Sequence, residues 1–111
     1  MTTHTALREP TYFVLASLLD GPLHGYGIIK RAEGLSEGRV RLAAGTLYGA
    51  LDRLASEGLV SETGRERVEG RERRYYALTD QGHAVLAEEA ERMAAASRAV
   101  IARLDLARGT A

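Results

Sequence analysis

Cysteine and tryptophan are both missing from this chain, phenylalanine occurs once and proline twice. Without thiols there is no disulfide staple, no thiolate metal site and no thiol redox sensor, a composition that suits a reducing compartment. With five tyrosines as its main aromatics, the core must come from Leu, Val, Ile and Ala, which favours helices packed on helices. Long apolar runs are absent too. No stretch reaches the roughly 18 residues of a membrane span, and residues 1–8 hold no apolar run of the signal-peptide kind. A cytoplasmic protein with no membrane partner is therefore expected.

Net charge is also lacking, with 15 basic and 15 acidic residues in a length of 111, about one domain. Its distribution is uneven. Residues 1–38 carry three bases and four acids, residues 39–76 eight and six, and residues 77–111 four and five. The small positive excess lies in the middle, so any phosphate binding must come from a few aimed arginines, not from a large steering field.

What is present centres on the stretch from Leu42 to Val60. Leu47, Leu51 and Leu54 follow helical spacing, and Gly58 can take the left-handed backbone that stops a helix. The opposite face, with Thr46, Gly49, Ala50 and Arg53, is short-chained apart from the arginine. Such a face can approach another macromolecule closely, as a helix in a DNA major groove must.

Around it, Pro10 suits the first turn of a helix running through Tyr12, Phe13, Leu15 and Leu18 and ending at Asp20-Gly21-Pro22. This helix is apolar on more than one face, which suggests that a partner chain covers part of it. A second helix is expected from His24 through Tyr26, Ile28 and Ala32, closed by Gly34. Val40 and Leu42, alternating with Arg39 and Arg41, predict a brief strand. Leu59-Val60 and Arg73 to Leu78 predict a hairpin that turns within Arg65 to Arg71. Helix, helix, strand, helix and hairpin is the order of a winged helix-turn-helix.

Thr79 is placed to cap a last helix, with Asp80 in its first turn, that continues to about Arg108. Leu86, Ala90, Met93, Ser97, Val100, Leu104 and Ala107 form a heptad seam. A helix of about 28 residues spans roughly 40 Å, so its far end should cross to a second protomer. The ends, residues 1–6 and 109–111, are expected to fray.

Several motifs together carry a family resemblance. They are Leu23-His24-Gly25-Tyr26-Gly27-Ile28, then Gly45-Thr46-Leu47-Tyr48-Gly49-Ala50-Leu51-Asp52-Arg53-Leu54, then Glu57-Gly58-Leu59-Val60, and Arg74-Tyr75-Tyr76-Ala77-Leu78-Thr79 with Gly82. In this order they resemble the PadR family of transcriptional regulators, in its short subgroup with a single C-terminal helix. The resemblance implies a homodimeric repressor whose third helix enters the major groove while its wing touches the backbone or minor groove. It also implies that the C-terminal helix dimerises, packing on the partner's first and last helices. The chain departs from the pattern at Gly49, where relatives often have proline. Some short members hold flat aromatic molecules between tryptophans at the dimer interface, and this chain has no tryptophan.

The expected architecture is thus mainly helical (α+β), with a winged helix-turn-helix over residues 7–79 and a dimerisation helix over 80–108. For contacts to double-stranded DNA the candidates are Thr46, Tyr48, Gly49, Arg53, Lys30 and the wing residues Arg71, Arg73 and Arg74. Tyr48 either reaches a phosphate with its hydroxyl or simply finishes the core. Arg53 competes with an ion pair to Asp52 or Glu57, and Lys30 and Arg31 with a role at the end of their helix. Strand alternation puts Arg73 and Arg74 on opposite faces. Phe13, Leu86, Met93, Val100 and Leu104 are the dimer-interface candidates. Met93, Val100 and Leu104 form either a dry seam or one wall of a pocket for a small-molecule effector.

His24 is expected to cap or pack. With His4 and His83 it lacks metal-ligand spacing, so neither a metal nor another cofactor is expected. Ser17, Ser36 and Ser61 have no activating motif, and Glu88-Glu89 reads as a solvated helix face, so an enzyme is not expected. The alternative to a DNA-binding repressor is a winged helix that binds protein or ligand with little DNA affinity.

Overall fold

The computed structural model describes residues 7–109; His4 and the fraying expected at residues 1–6 and 110–111 lie outside that range. Helix α1 (Glu9–Ser17) begins with Pro10, whose missing N–H would be unpaired in a first turn anyway. It ends at Ser17, and residues 18–20 continue as tight turns up to Gly21, whose φ of 132° no helix can hold; Ser17 Oγ donates to the Val14 carbonyl at 2.6 Å. Val14, Leu15 and Leu18 are buried, whereas Phe13 is half-exposed and sits edge-on to Tyr12.

The short strand lies elsewhere than predicted. Residues 39–43 are irregular, and the strand is β1 (Leu23–His24). Alternation is present at Val40 and Leu42, but no strand pairs with them: Val40 N–H donates to Ser36 Oγ at 2.8 Å. Helix α2 (Gly25–Leu35) follows β1 directly, with the His24 imidazole accepting from Gly27 N–H at 3.3 Å. Gly34 lies inside α2 and does not close it. The chain reverses later, through Glu37 and Gly38 with φ of 55° and 86°.

Helix α3 (Ala44–Ser56) is built as its leucines dictate. Leu47, Leu51 and Leu54 are fully buried, each contributing about 1.5–3 kcal/mol. Gly58, at φ 80°, stops the helix. The wing is formed by β2 (Val60–Val68) and β3 (Arg71–Leu78), and β3 lies between β1 and β2 in an antiparallel sheet. Its turn is tighter than the expected Arg65 to Arg71 segment. Between Val68 and Arg71 only Glu69 and Gly70 are unpaired, and both have positive φ, 51° and 78°, as a two-residue hairpin loop of primed type requires.

Helix α4 (Asp80–Ala107) is joined to α3 by one side chain. The Thr79 hydroxyl donates to the Gly58 carbonyl at 2.6 Å and accepts from Gly82 N–H at 3.0 Å. Gly82, Val85, Leu86 and Glu89 are buried on α4, and residues 91–104 are all exposed. Leu86 is therefore not a free seam residue: at 5% exposure it belongs to this protomer's own core. The second half of α4 projects. The molecule measures 62 × 35 × 22 Å with a radius of gyration of 16.8 Å, against about 13 Å for a compact domain of this length.

Glu89 also departs from expectation, being 8% exposed instead of lying on a solvated face. Arg92 donates to it at 2.6 and 3.0 Å, and the Leu7 backbone N–H also donates to it, tying the start of the described chain to α4. The Arg92 hydrogen bonds hold the Glu89 carboxyl below its ordinary pKa, against the opposing effect of burial. A carboxyl depressed in the folded state stabilises fully above its unfolded value of about 4.3 and loses that contribution as pH falls through the folded value. Glu89→Gln should therefore flatten the acid limb of stability below about pH 4.3. Thermal unfolding across that limb checks this, and parallel curves for the two proteins would show that the pair contributes nothing.

Candidate nucleic-acid interface

Thr46, Gly49 and Arg53 recur at helical spacing on the face of α3 away from the buried leucines, with half-buried Ala50 at its edge. Thr46, Gly49 and Arg53 are exposed, and nothing lies within 4 Å of where a Cβ on Gly49 would be. Backbone is therefore accessible along this face. No side chain caps the start of α3 and no acid occupies its first turn, so its free N–H groups favour an anion. Arg53 pairs with neither Asp52 nor Glu57 and makes no ion pair among the described residues.

Tyr48 turns inward instead of out. It is half-buried against the core, and its hydroxyl abuts Gly25 at the start of α2. A Cβ at position 25 would collide with that hydroxyl and lie 2.9 Å from ring carbon Cζ, so any larger residue there would push the Tyr48 ring aside. Arg74 lies on the same ring, its guanidinium carbon 5.3 Å from the centroid. The ring thus finishes the core edge beside α2, and its hydroxyl makes no hydrogen bond among the described residues.

The wing has two unlike faces. Register places Glu62, Arg65, Arg67, Glu72 and Arg74 on the side of buried Tyr76, after a bulge between Glu62 and Gly64. There Arg65 pairs with Glu62 at 2.8 Å and with Glu72 at 3.2 Å, and Arg74 with Glu62 at 3.7 Å. Much of the charge on that face is neutralised internally. Arg71 and Arg73 share the other face, opposite Val68 and Glu66, and both are exposed without an ion pair among the described residues.

Lys30 is exposed, its Nζ 5.9 Å from the Tyr26 ring centroid, and Arg31 binds Asp20 at 2.7 Å. Neither lies in the last turn of α2, so they do not complement that helix end. Tyr26 is the surface residue that sequence reasoning missed. It is 65% exposed, with its ring parallel to His24 at 6.5 Å. The signal was there: Ile28 is the buried position of this turn, and a residue two places earlier on a helix points nearly the opposite way.

Among the described residues, no group of three or more His, Cys, Asp or Glu could hold a metal ion. Among the described residues no helix is long and apolar enough to cross a membrane.

Residues 14–88 match the model of the PadR-like family of transcriptional regulators. The chain belongs to that family. Members of the PadR-like family are regulators of transcription, not enzymes. A relative named transcriptional regulator Rv3488, from Mycobacterium tuberculosis, is 34% identical over 88 residues, covering 79% of this chain and 78% of its own. A 37.1 kDa protein in transposon TN4556 of Streptomyces fradiae is 44% identical over 90 residues, 78% of this chain, but the match spans only 24% of that relative's length. Among solved structures, Bacillus subtilis PadR in complex with operator DNA is similar, with a TM-score of 0.64 and 26% identity over 73% of this chain and 47% of that one. The PadR-like winged helix, with its long last helix, is the fold described above.

Proposed function

We propose that this PadR-like regulator binds double-stranded DNA as a cytoplasmic homodimer and represses transcription by covering a promoter. The observation that carries the reading is Arg53 on a short-chained face of α3, together with Arg71 and Arg73 on one face of the wing, all three without an ion pair among the described residues. Thr46, Gly49 and Arg53 would meet base edges or the groove wall, Arg71 and Arg73 the flanking phosphates, and Lys30 with Tyr26 a phosphate beyond α2. Residues 7–79 form the DNA-binding unit in this reading, and residues 80–108 the dimerisation helix.

The dimer is supported by the projecting half of α4, where Met93 is 40%, Val100 58% and Leu104 47% exposed. Half-exposed Phe13 on α1 offers a further apolar contact. Two copies clasped there would read an inverted repeat with half-sites about one helical turn apart. A small-molecule effector held between the tails, where Ala94, Ala95 and Ala96 are small and exposed, would act by changing the spacing of the two α3 helices.

Arg53→Ala should weaken operator binding about tenfold. If Arg53 reads a base, the preference at one position relaxes; if it meets only phosphate, all sequences weaken alike. Gel-shift titration with DNA from upstream of its own gene measures this, and unchanged affinity would remove Arg53 from the interface. The second reading, a winged helix for protein or ligand with little DNA affinity, is favoured by the formal net charge of zero. A wild-type protein that shifts no DNA at low salt would select it.

A further inference from the structure

The Arg74 guanidinium carbon lies 5.3 Å from the centroid of Tyr48, on α3, and 5.9 Å from that of Tyr76, in its own strand. Its Nη1 is 3.7 Å from Glu62 across the wing. Tyr48 in turn rests on Gly25 of α2. One cation thus touches the ring that locks α3 to α2 and the ring that roots β3 in the core. A guanidinium suits this place because it is flat and weakly hydrated, and it stacks on aromatic faces while keeping an ion pair at its edge.

Tyr76 adds an independent observation. Its hydroxyl is buried without a hydrogen-bond partner among the described residues, and burial pushes its pKa up. A buried hydroxyl left unpaired is a cost, so what this side chain supplies is its ring, and the ring lies against Arg74.

We infer that Arg74 is a positioning residue, which fixes the angle between the wing and α3 by bridging Tyr48 and Tyr76, and does not itself bind phosphate. Its consequence for DNA affinity rests on the reading given above; its consequence for the wing does not. Arg71 and Arg73 on β3 reach the same duplex as α3 only if that angle is held. Loss of Arg74 therefore acts through them.

The chain has no native cysteine, so spin labels at Ala55→Cys on α3 and Glu66→Cys on the wing report that angle in the DNA-free protein. Wild type is expected to give one narrow distance distribution, and Arg74→Gln a broad one. Arg74→Lys keeps the charge and stem without the flat fork, and should broaden it too. It decides the matter if the glutamine variant does not fold. A distribution unchanged in folded Arg74→Gln or Arg74→Lys overturns the inference.

The DNA arm compares backgrounds. In otherwise native protein, Arg74→Gln should weaken operator binding about tenfold, whereas in Arg71→Ala/Arg73→Ala protein it should add nothing, because the wing contact is already gone. A further tenfold loss in that background, with the salt slope reduced by about one, would place Arg74 on a phosphate and overturn the inference. If wild type binds no DNA, the DNA-binding reading fails, and the distance measurement still judges Arg74.

Discussion

Gly82→Ala is expected to lower the thermal unfolding midpoint by about 10 °C or more. Helix propensity alone points the other way, since alanine is better than glycine inside a helix by about 0.5–1 kcal/mol. Position 82 is different because a Cβ there would run into the Leu59 carbonyl oxygen and lie 2.9 Å from Leu78 Cδ1. Leu78 can turn aside. The Leu59 backbone cannot, because its carbonyl accepts from Thr79 N–H at 3.1 Å and its N–H donates to the Leu54 carbonyl at 2.9 Å. The start of α4 must then lift away from the wing, loosening the Thr79 hydrogen bonds. Calorimetry checks this, and a midpoint equal to or above that of wild type would show that the junction shifts freely.

At the other end of α4, Met93→Glu combined with Val100→Glu should leave a folded monomer whose operator affinity is lower by about 100-fold. The protomer is indifferent to these side chains, 40% and 58% exposed in the single chain, so its fold has no reason to fail. A dimer seam is not indifferent, since two charges from each copy would be desolvated together. The affinity falls steeply because binding the second half-site after the first is an intramolecular event, and separation of the copies abolishes that gain of about 100-fold or more. Sedimentation velocity and gel shift read the two effects. Persistence of the dimer would move its contact elsewhere on the chain.

Much of this architecture was legible because the relevant signals repeat. The leucines of α3, the stop at Gly58, the cap at Thr79 and the length of α4 each rest on periodicity or on local backbone chemistry. The features that were not legible depend on partners distant in sequence. Strand β1 has two residues, too few to show a period, and exists only because Leu23 and His24 pair with Tyr76 and Tyr75. Val40 and Leu42 show the right alternation without a neighbouring strand, which is why the strand predicted there does not form. Leu86 fits both a heptad seam and a core, and only the packing of α4 on the domain assigns it to the core.

The candidate interface divides in the same way. Its small-residue face followed from spacing along one helix, and the opposite orientations of Arg73 and Arg74 from strand alternation. What sequence could not separate was a cation facing solvent from one engaged inside the fold. Arg74 and Arg73 are adjacent and chemically identical, and a contact with Tyr48, 26 positions earlier, distinguishes them. Tyr48 itself was open to two readings from position alone, and the fold shows its ring packed at the core edge beside Gly25.

One hydroxyl, that of Thr79, meets both the carbonyl at the close of α3 and the amide at the opening of α4. The offset between α3 and α4 is therefore gauged by two hydrogen-bond lengths as well as by the aliphatic packing around them. A change of Thr79 to valine would remove both hydrogen bonds at once and, in the dimeric DNA-binding reading proposed above, blur the spacing of the two half-sites.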